Sequence, residues 1–336
     1  MISLLKKHAQ CMLAFTVMFS AARVEASTAQ TKNLTELTVA QDGTGDYKTI
    51  QEAVNAVRDF SQQQVTIHIR RGIYPEKIVI PAWKTHVFLL GDDTANTIIT
   101  NADYSGKSLP SNAETPGKYS TFNSYTLQVK GNDFRAEKLT IENKAGRVGQ
   151  AVALHAEADR CVFNDCRITG NQDTLFAATT NSRQLYQNCY IEGTTDFIFG
   201  DATAVFQNCV IKSLANSYII AASTAANQPY GFVFINCKLT AGAGVQKVFL
   251  GKPWRPYAKV VFYKCELGSH IAPQGWHNWN NPANESTAFY AEFQNTGSGA
   301  DASQRVSWAR QLSPDEMKDI LLHIFNKKDN WDPEAK

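Results

Sequence analysis

Five short segments decide the architecture: Val162-Phe-Asn-Asp-Cys166, Leu185-Tyr-Gln-Asn-Cys189, Val205-Phe-Gln-Asn-Cys209, Val233-Phe-Ile-Asn-Cys237 and Val261-Phe-Tyr-Lys-Cys265. Each runs aliphatic, aromatic, two mostly polar residues and cysteine, then leads into another short strand pattern. The cysteines step by 23, 20, 28 and 28 residues, a period suited to one turn of a solenoid with loops of varying length. A strand this short cannot bury its apolar face alone, but stacked coils share one continuous interior. Equivalent positions then lie about 4.8 Å apart and form ladders of like residues. An ordinary α/β domain would need long helical periods between its strands, and residues 120–270 contain none. The expectation is an all-β chain folded as a parallel β-helix.

Outside the repeat, both ends read as short capping helices. Thr49 and Glu52 form a capping box, and Ile50, Ala53, Val54 and Val57 share one helical face. That helix is expected to close the N-terminal end of the solenoid. Ser313-Pro-Asp-Glu316 starts a second helix near the C-terminal end, with Met317, Ile320, Leu321 and Ile324 as its apolar side. Residues 27–336 read as a single domain.

Residues 1–26 read as a signal peptide. Lys6, Lys7 and His8 precede the apolar stretch Met12–Ala22, and Val24-Glu25-Ala26 supplies small residues at the cleavage spacing. The competing reading is a short buried helix. The apolar stretch is short for a membrane span, so the expectation is a secreted or periplasmic protein with no membrane partner. The 336-residue chain has 33 basic and 31 acidic residues, and residues 1–26 carry three of the former and one of the latter. The remainder is near neutral, so no global field draws it to nucleic acid.

Six cysteines lie beyond residue 26. Stacked positions one coil apart fall within the Cα separation that a disulfide needs, and oxidation is allowed in an exported protein. Cys189 and Cys209 are the first choice for a bridge; buried free thiols are the alternative.

No Gly-x-Ser-x-Gly elbow and no Walker loop are present, and the seven histidines lack metal-ligand spacing. Asp42-Gly-Thr-Gly-Asp46 lacks the Lys-Ser/Thr of a phosphate loop and reads as a turn. Three polar segments interrupt the repeat: Gly149-Gln150-Ala-Val-Ala-Leu154, Gly170-Asn-Gln172-Asp173-Thr-Leu175 and Asp196-Phe-Ile-Phe-Gly200. Asp173 follows Cys166 by seven residues, and Asp196 follows Cys189 by seven. The common offset puts the two carboxylates at one angular position on adjacent coils, with Gln150 a coil earlier. Two such groups cannot both ionise freely, so one should hold a proton while the other stays anionic. That pairs an acid with a nucleophile or base, and Gln150 and Gln172 can donate hydrogen bonds to a developing oxyanion. A lone Asp in a solenoid would read better as a turn-capping ladder residue; two at one offset, flanked by two glutamines, read as chemistry.

At these residues the chain resembles the pectin methylesterase (pectinesterase) family, in its bacterial, secreted form. Further matching motifs are Asp42-Gly-Thr-Gly-Asp-Tyr-Lys-Thr-Ile-Gln-Glu-Ala-Val54, Gly72-Ile-Tyr-Pro-Glu76, Leu250-Gly-Lys-Pro-Trp254 and Gly275-Trp-His-Asn-Trp279. The likeness spans most of residues 37–310. It implies a right-handed parallel β-helix that removes methyl esters from the galacturonate of pectin without metal or cofactor; the sequence gives no sign of an oligomer, so a monomer is the expectation. It further implies Asp196 as nucleophile, Asp173 as acid and then base, and Gln150 and Gln172 as oxyanion donors. Thr121, Phe199 and Trp254 would contact substrate, with Phe176 and Trp279 as further aromatic contacts. Phe197 is assigned to the interior, because strand alternation turns it away from Phe199.

Lys252 departs from the pattern, since the family places arginine there to hold the nucleophilic carboxylate through two prongs. Lysine keeps the charge but makes a point contact. Arg255, three residues on, is a candidate to compensate. The change leaves two alternatives open: an esterase or thioesterase acting on a different ester, or a non-catalytic carbohydrate-binding β-helix. Pectate lyases and polygalacturonases share the solenoid but need a calcium cluster or carboxylates around a glycosidic bond, whereas here the acids come with oxyanion donors.

Overall fold

The computed structural model describes residues 35–111, 116–325 and 329–333. The expected signal peptide at 1–26 lies outside the described residues. The described residues wind into three all-parallel sheets of 11, eight and seven strands, each coil adding one strand to a sheet before stepping to the next. This is the expected parallel β-helix.

The five repeat segments stack in the 11-stranded sheet as Cys161–Asn164, Arg183–Gln187, Thr203–Gln207, Phe232–Ile235 and Lys259–Tyr263. Their register is the one read from the repeat: Val162 pairs Leu185, then Val205, Val233 and Val261. Phe163, Tyr186, Phe206, Phe234 and Phe262 follow one residue on and point inward, fully buried. Their rings stack at 4.9, 4.7, 4.4 and 4.5 Å, the offset-stacked separation at which aromatic pairs gain beyond area burial. The asparagines of the repeat turn the corner to the eight-stranded sheet. Asn188, Asn208 and Asn236 have φ of 54°, 55° and 51°, a left-handed conformation that asparagine tolerates better than most residues. The recurring Asn-Cys pair is therefore a corner followed by an inward-facing small residue.

Those cysteines correct one expectation. All six described cysteines are buried and free, so Cys189 and Cys209 are not bridged. Stacked coils carry their Cβ bonds side by side, whereas a disulfide requires a specific crossing geometry. Each thiol of the repeat, from Cys166 on, instead donates to a carbonyl of the preceding coil, Cys189 to Phe163 and Cys209 to Tyr186, both at 3.3 Å.

The N-terminal helix, Ile50–Ala56, has the expected capping box between Thr49 and Glu52. It packs Ile50, Ala53 and Val54 against the strands Glu36–Val39, Val65–Ile69 and Ile78–Ile80 of the first coils. The C-terminal helix, Pro314–His323, is capped by Ser313 and Glu316. It lies along the solenoid wall: Met317, Ile320 and Ile324 cluster with the outward row Val162, Leu185, Val205, Val233 and Val261. A helix laid on a flat wall buries only a narrow stripe, which leaves Leu321 42% exposed. Past this helix the chain reaches Arg183, which donates to Asp329 at 2.8 Å and to Asp159 at 2.7 Å.

Candidate active site

The seven-stranded sheet presents a second outward row. His155, Phe176, Phe199, Ala221 and Lys252 lie in register on successive coils. Asp173 and Asp196 stand three residues before Phe176 and Phe199, in the corners that lead into strands Leu175–Ala177 and Ile198–Gly200. Since Leu175 pairs with Ile198, the two aspartates stand at equivalent places on adjacent coils, whose backbones are about 4.8 Å apart. Both residues are left-handed, with φ of 63° and 51°, a conformation that Asp tolerates better than most residues. The corners are fixed by the ladder: Asp173 N–H donates to Thr195 O at 3.1 Å and Asp196 N–H to Tyr218 O at 2.9 Å. Gly200 ends the motif with φ of 124°, and a Cβ there would lie 2.0 Å from Ala177 O. Only glycine lets these coils approach.

A cleft of about 380 Å³ opens over the pair. Its walls include Thr121, Gln150, Gln172, Phe199, Lys252, Trp254 and Trp279, together with both aspartates. Gln150 and Gln172 are bridged neighbours on adjacent coils. Phe176 stands beside the cleft rather than in its wall, stacked on Phe199 at 4.5 Å and tilted against Phe122 at 5.4 Å. Phe197 is buried in the core as expected, and Phe199 meets Trp254 edge-on at 6.0 Å.

Lys252 distinguishes the two acids. Its Nζ sits 3.0 Å from Asp196 Oδ2, while Oδ1 of Asp196 is buried without a hydrogen-bond partner. Burial raises the Asp196 carboxyl above the usual range, and Lys252 opposes that shift by charge and hydrogen bond. Burial, with the Asp196 charge adding to it, pushes Asp173 up to about 8; Lys252 only partly offsets this. Asp173 therefore holds its proton at neutral pH while Asp196 is the better anion. Arg255 does not share this work: its guanidinium turns to the carbonyl and ring of Trp254, at 3.1 and 4.7 Å.

Sequence reasoning missed Phe122, Thr195 and Ala221 of the cleft wall. Thr195 was within reach, because it precedes Asp196 as Gln172 precedes Asp173. Also missed was Asn143, whose buried amide donates to the carbonyls of Asp103, Ser124 and Val152 at 2.9, 3.1 and 2.9 Å. It ties the turn Thr121–Asn123 to the segment after Gln150. His155 adds a contact between its Nδ1 and Phe122 O at 3.2 Å.

Residues 36–322 match the family model for pectinesterase. Pectinesterase 31 of Arabidopsis thaliana is 36% identical over 289 residues, covering 85% of this chain and 90% of that protein. Of some other curated relatives, the chain spans about half the length. A solved pectin methylesterase from carrot superposes with a TM-score of 0.76 at 34% identity, covering 84% of this chain and 89% of that one. The pectin methylesterase from Erwinia chrysanthemi gives 0.74 at 27% identity, covering 90% and 98%. Fold, cleft and sequence agree: the chain belongs to the pectinesterase family.

Proposed function

We propose that this enzyme hydrolyses the methyl esters of galacturonate units in pectin and releases methanol, with Asp196 as nucleophile and Asp173 as acid and base. The observation that carries the assignment is the ion pair of Lys252 with Asp196 alone. It leaves Oδ1 of Asp196 anionic and unpartnered, suited to attack the ester carbonyl carbon. Gln150 and Gln172 line the same cleft, and their side-chain amides serve the oxyanion of the tetrahedral intermediate. As that intermediate collapses, the bond to the methoxy oxygen breaks and Asp173 gives it a proton, so methanol leaves. Asp196 then carries the acyl group and Asp173 is a carboxylate. Asp173 takes a proton from water, hydroxide adds to the acyl carbon, and the bond to Asp196 breaks to restore both acids.

Thr121, Phe199, Trp254 and Trp279 would orient the sugar chain, with Phe176 supporting Phe199. We further propose export to the periplasm or beyond through residues 1–26, a monomeric state, and no nucleic-acid or membrane partner. Among the described residues no helix is long and apolar enough to cross a membrane. Kinship with bacterial secreted members belongs to this proposal too; the Arabidopsis and carrot proteins cited above are from plants.

The test is methanol release from methyl-esterified pectin by the native protein and by Asp196→Ala. Release by the native protein alone is the expected result. Pectin binding without methanol from the native protein would favour a carbohydrate-binding module. Turnover of only a small acyl ester would favour a different esterase.

A further inference from the structure

The Lys252 ammonium has two contacts that its pairing with Asp196 does not require. Its Nζ lies 4.5 Å from the centre of the Tyr218 ring and 4.4 Å from that of Trp279, inside the range where an aromatic face attracts a cation. Both rings are themselves held. Tyr218 stacks on Phe249 at 5.5 Å and meets the His277 ring at 5.5 Å. The Trp279 backbone N–H donates to His277 Nδ1 at 2.9 Å, and Trp279 has a left-handed φ of 57°.

A lysine ammonium on a four-carbon stem reaches a carboxylate as a mobile point charge, without the fixed fork of an arginine. Here only one carboxylate oxygen is engaged. We propose that Tyr218 and Trp279 are positioning residues, forming an aromatic sleeve that keeps the Lys252 ammonium on Asp196 Oδ2. The sleeve supplies the restraint that a second prong would otherwise give. Trp279 is 45% exposed and borders the cleft, so a sugar chain lying over it would dry the sleeve and strengthen the contact of charge with ring. Tyr218 also fits this role by its place in the chain: its carbonyl accepts the Asp196 N–H, which ties the ring and the carboxylate to one corner.

This inference rests on the catalytic reading above, and the experiment separates the two. Methanol release is followed against pH for the native protein, Tyr218→Phe, Tyr218→Leu and Trp279→Leu. The titratable groups that face the Lys252–Asp196 pair are Asp173, Tyr218, His277 and the buried Tyr290. If the ammonium loosens, Asp196 loses the charge that favours its anion, so the acid limb of kcat moves to higher pH. Tyr218→Phe keeps the ring and should behave as the native protein does. Tyr218→Leu should lower kcat by roughly tenfold at neutral pH and raise the acid limb. Trp279→Leu, at an exposed site that the core does not need, should raise the acid limb in the same direction, with a higher KM besides. An unmoved acid limb in both leucine variants would overturn the sleeve. So would a loss in Tyr218→Phe equal to that in Tyr218→Leu. A native protein that releases no methanol would instead remove the catalytic reading itself.

Discussion

Two outward rows run down this solenoid, and they have opposite fates. On the 11-stranded sheet the row is Val162, Leu185, Val205, Val233 and Val261, aliphatic at every coil and covered by Met317, Ile320 and Ile324 of the C-terminal helix. On the seven-stranded sheet the row is His155, Phe176, Phe199, Ala221 and Lys252, mixed in character and bordering an open cleft. The backbone spacing is the same in both. A row that repeats one residue type gives a continuous apolar strip, which is a stability device. A row of mixed residue types brings distinct chemical groups together at strand spacing, and that is how a repetitive scaffold builds one site.

The largest expected effect comes from the corner that leads into the open row. Asp196→Asn should cut methanol release by at least roughly 1,000-fold, since an amide is neither anion nor nucleophile. Its Tm should fall below the native value, because the buried Lys252 ammonium loses its carboxylate partner. A melting curve beside the methanol assay checks both.

The covered row should respond the other way. Val205 is buried beneath the C-terminal helix, so Val205→Asp puts an unpaired charge there and should cost about 3 kcal/mol or more in urea unfolding. Activity per folded molecule should stay at the native level. A large loss of kcat in fully folded Val205→Asp would show that the two rows are coupled.

Asp173 makes the comparison sharper through pH. Its folded-state value of about 8 lies above the ordinary 3.8, so the folded state holds this proton more tightly than the unfolded chain does. That contribution favours folding in acid and is lost as pH rises from about 4 to about 8. Asp173→Asn removes the dependence. The thermal stability of the variant should overtake that of the native protein across this window, while its methanol release collapses. The smallest effect is expected on the solvent side of the C-terminal helix, where Leu322 is exposed. Leu322→Glu should change unfolding free energy by less than about 0.5 kcal/mol.

Much of this was legible before any coordinates. The aliphatic-aromatic-Asn-Cys repeat carried both the register of the 11-stranded sheet and its corner, because each residue type has a local reason to be there. The shared seven-residue offset of Asp173 and Asp196 carried their stacking for the same reason. Three things were not legible. The thiols of Cys189 and Cys209 have the right spacing for a bridge but the wrong direction, which depends on Cβ vectors that spacing does not encode. The C-terminal helix has an apolar stripe, but the stripe does not say whether it faces an end or a wall. Tyr218 reaches the site from a position with no catalytic residue type nearby in sequence, so only the fold brings it there.

The division of labour between the two aspartates is tested most directly by NMR. Carboxyl-¹³C-labelled Asp would be titrated in the native protein, with Asp173→Asn and Asp196→Asn assigning the two signals. Asp173 should keep its proton through neutrality and titrate near 8, with Asp196 already ionised at lower pH. Ordinary acidic titration of both groups, or a proton retained on Asp196 while Asp173 is ionised, would contradict the account.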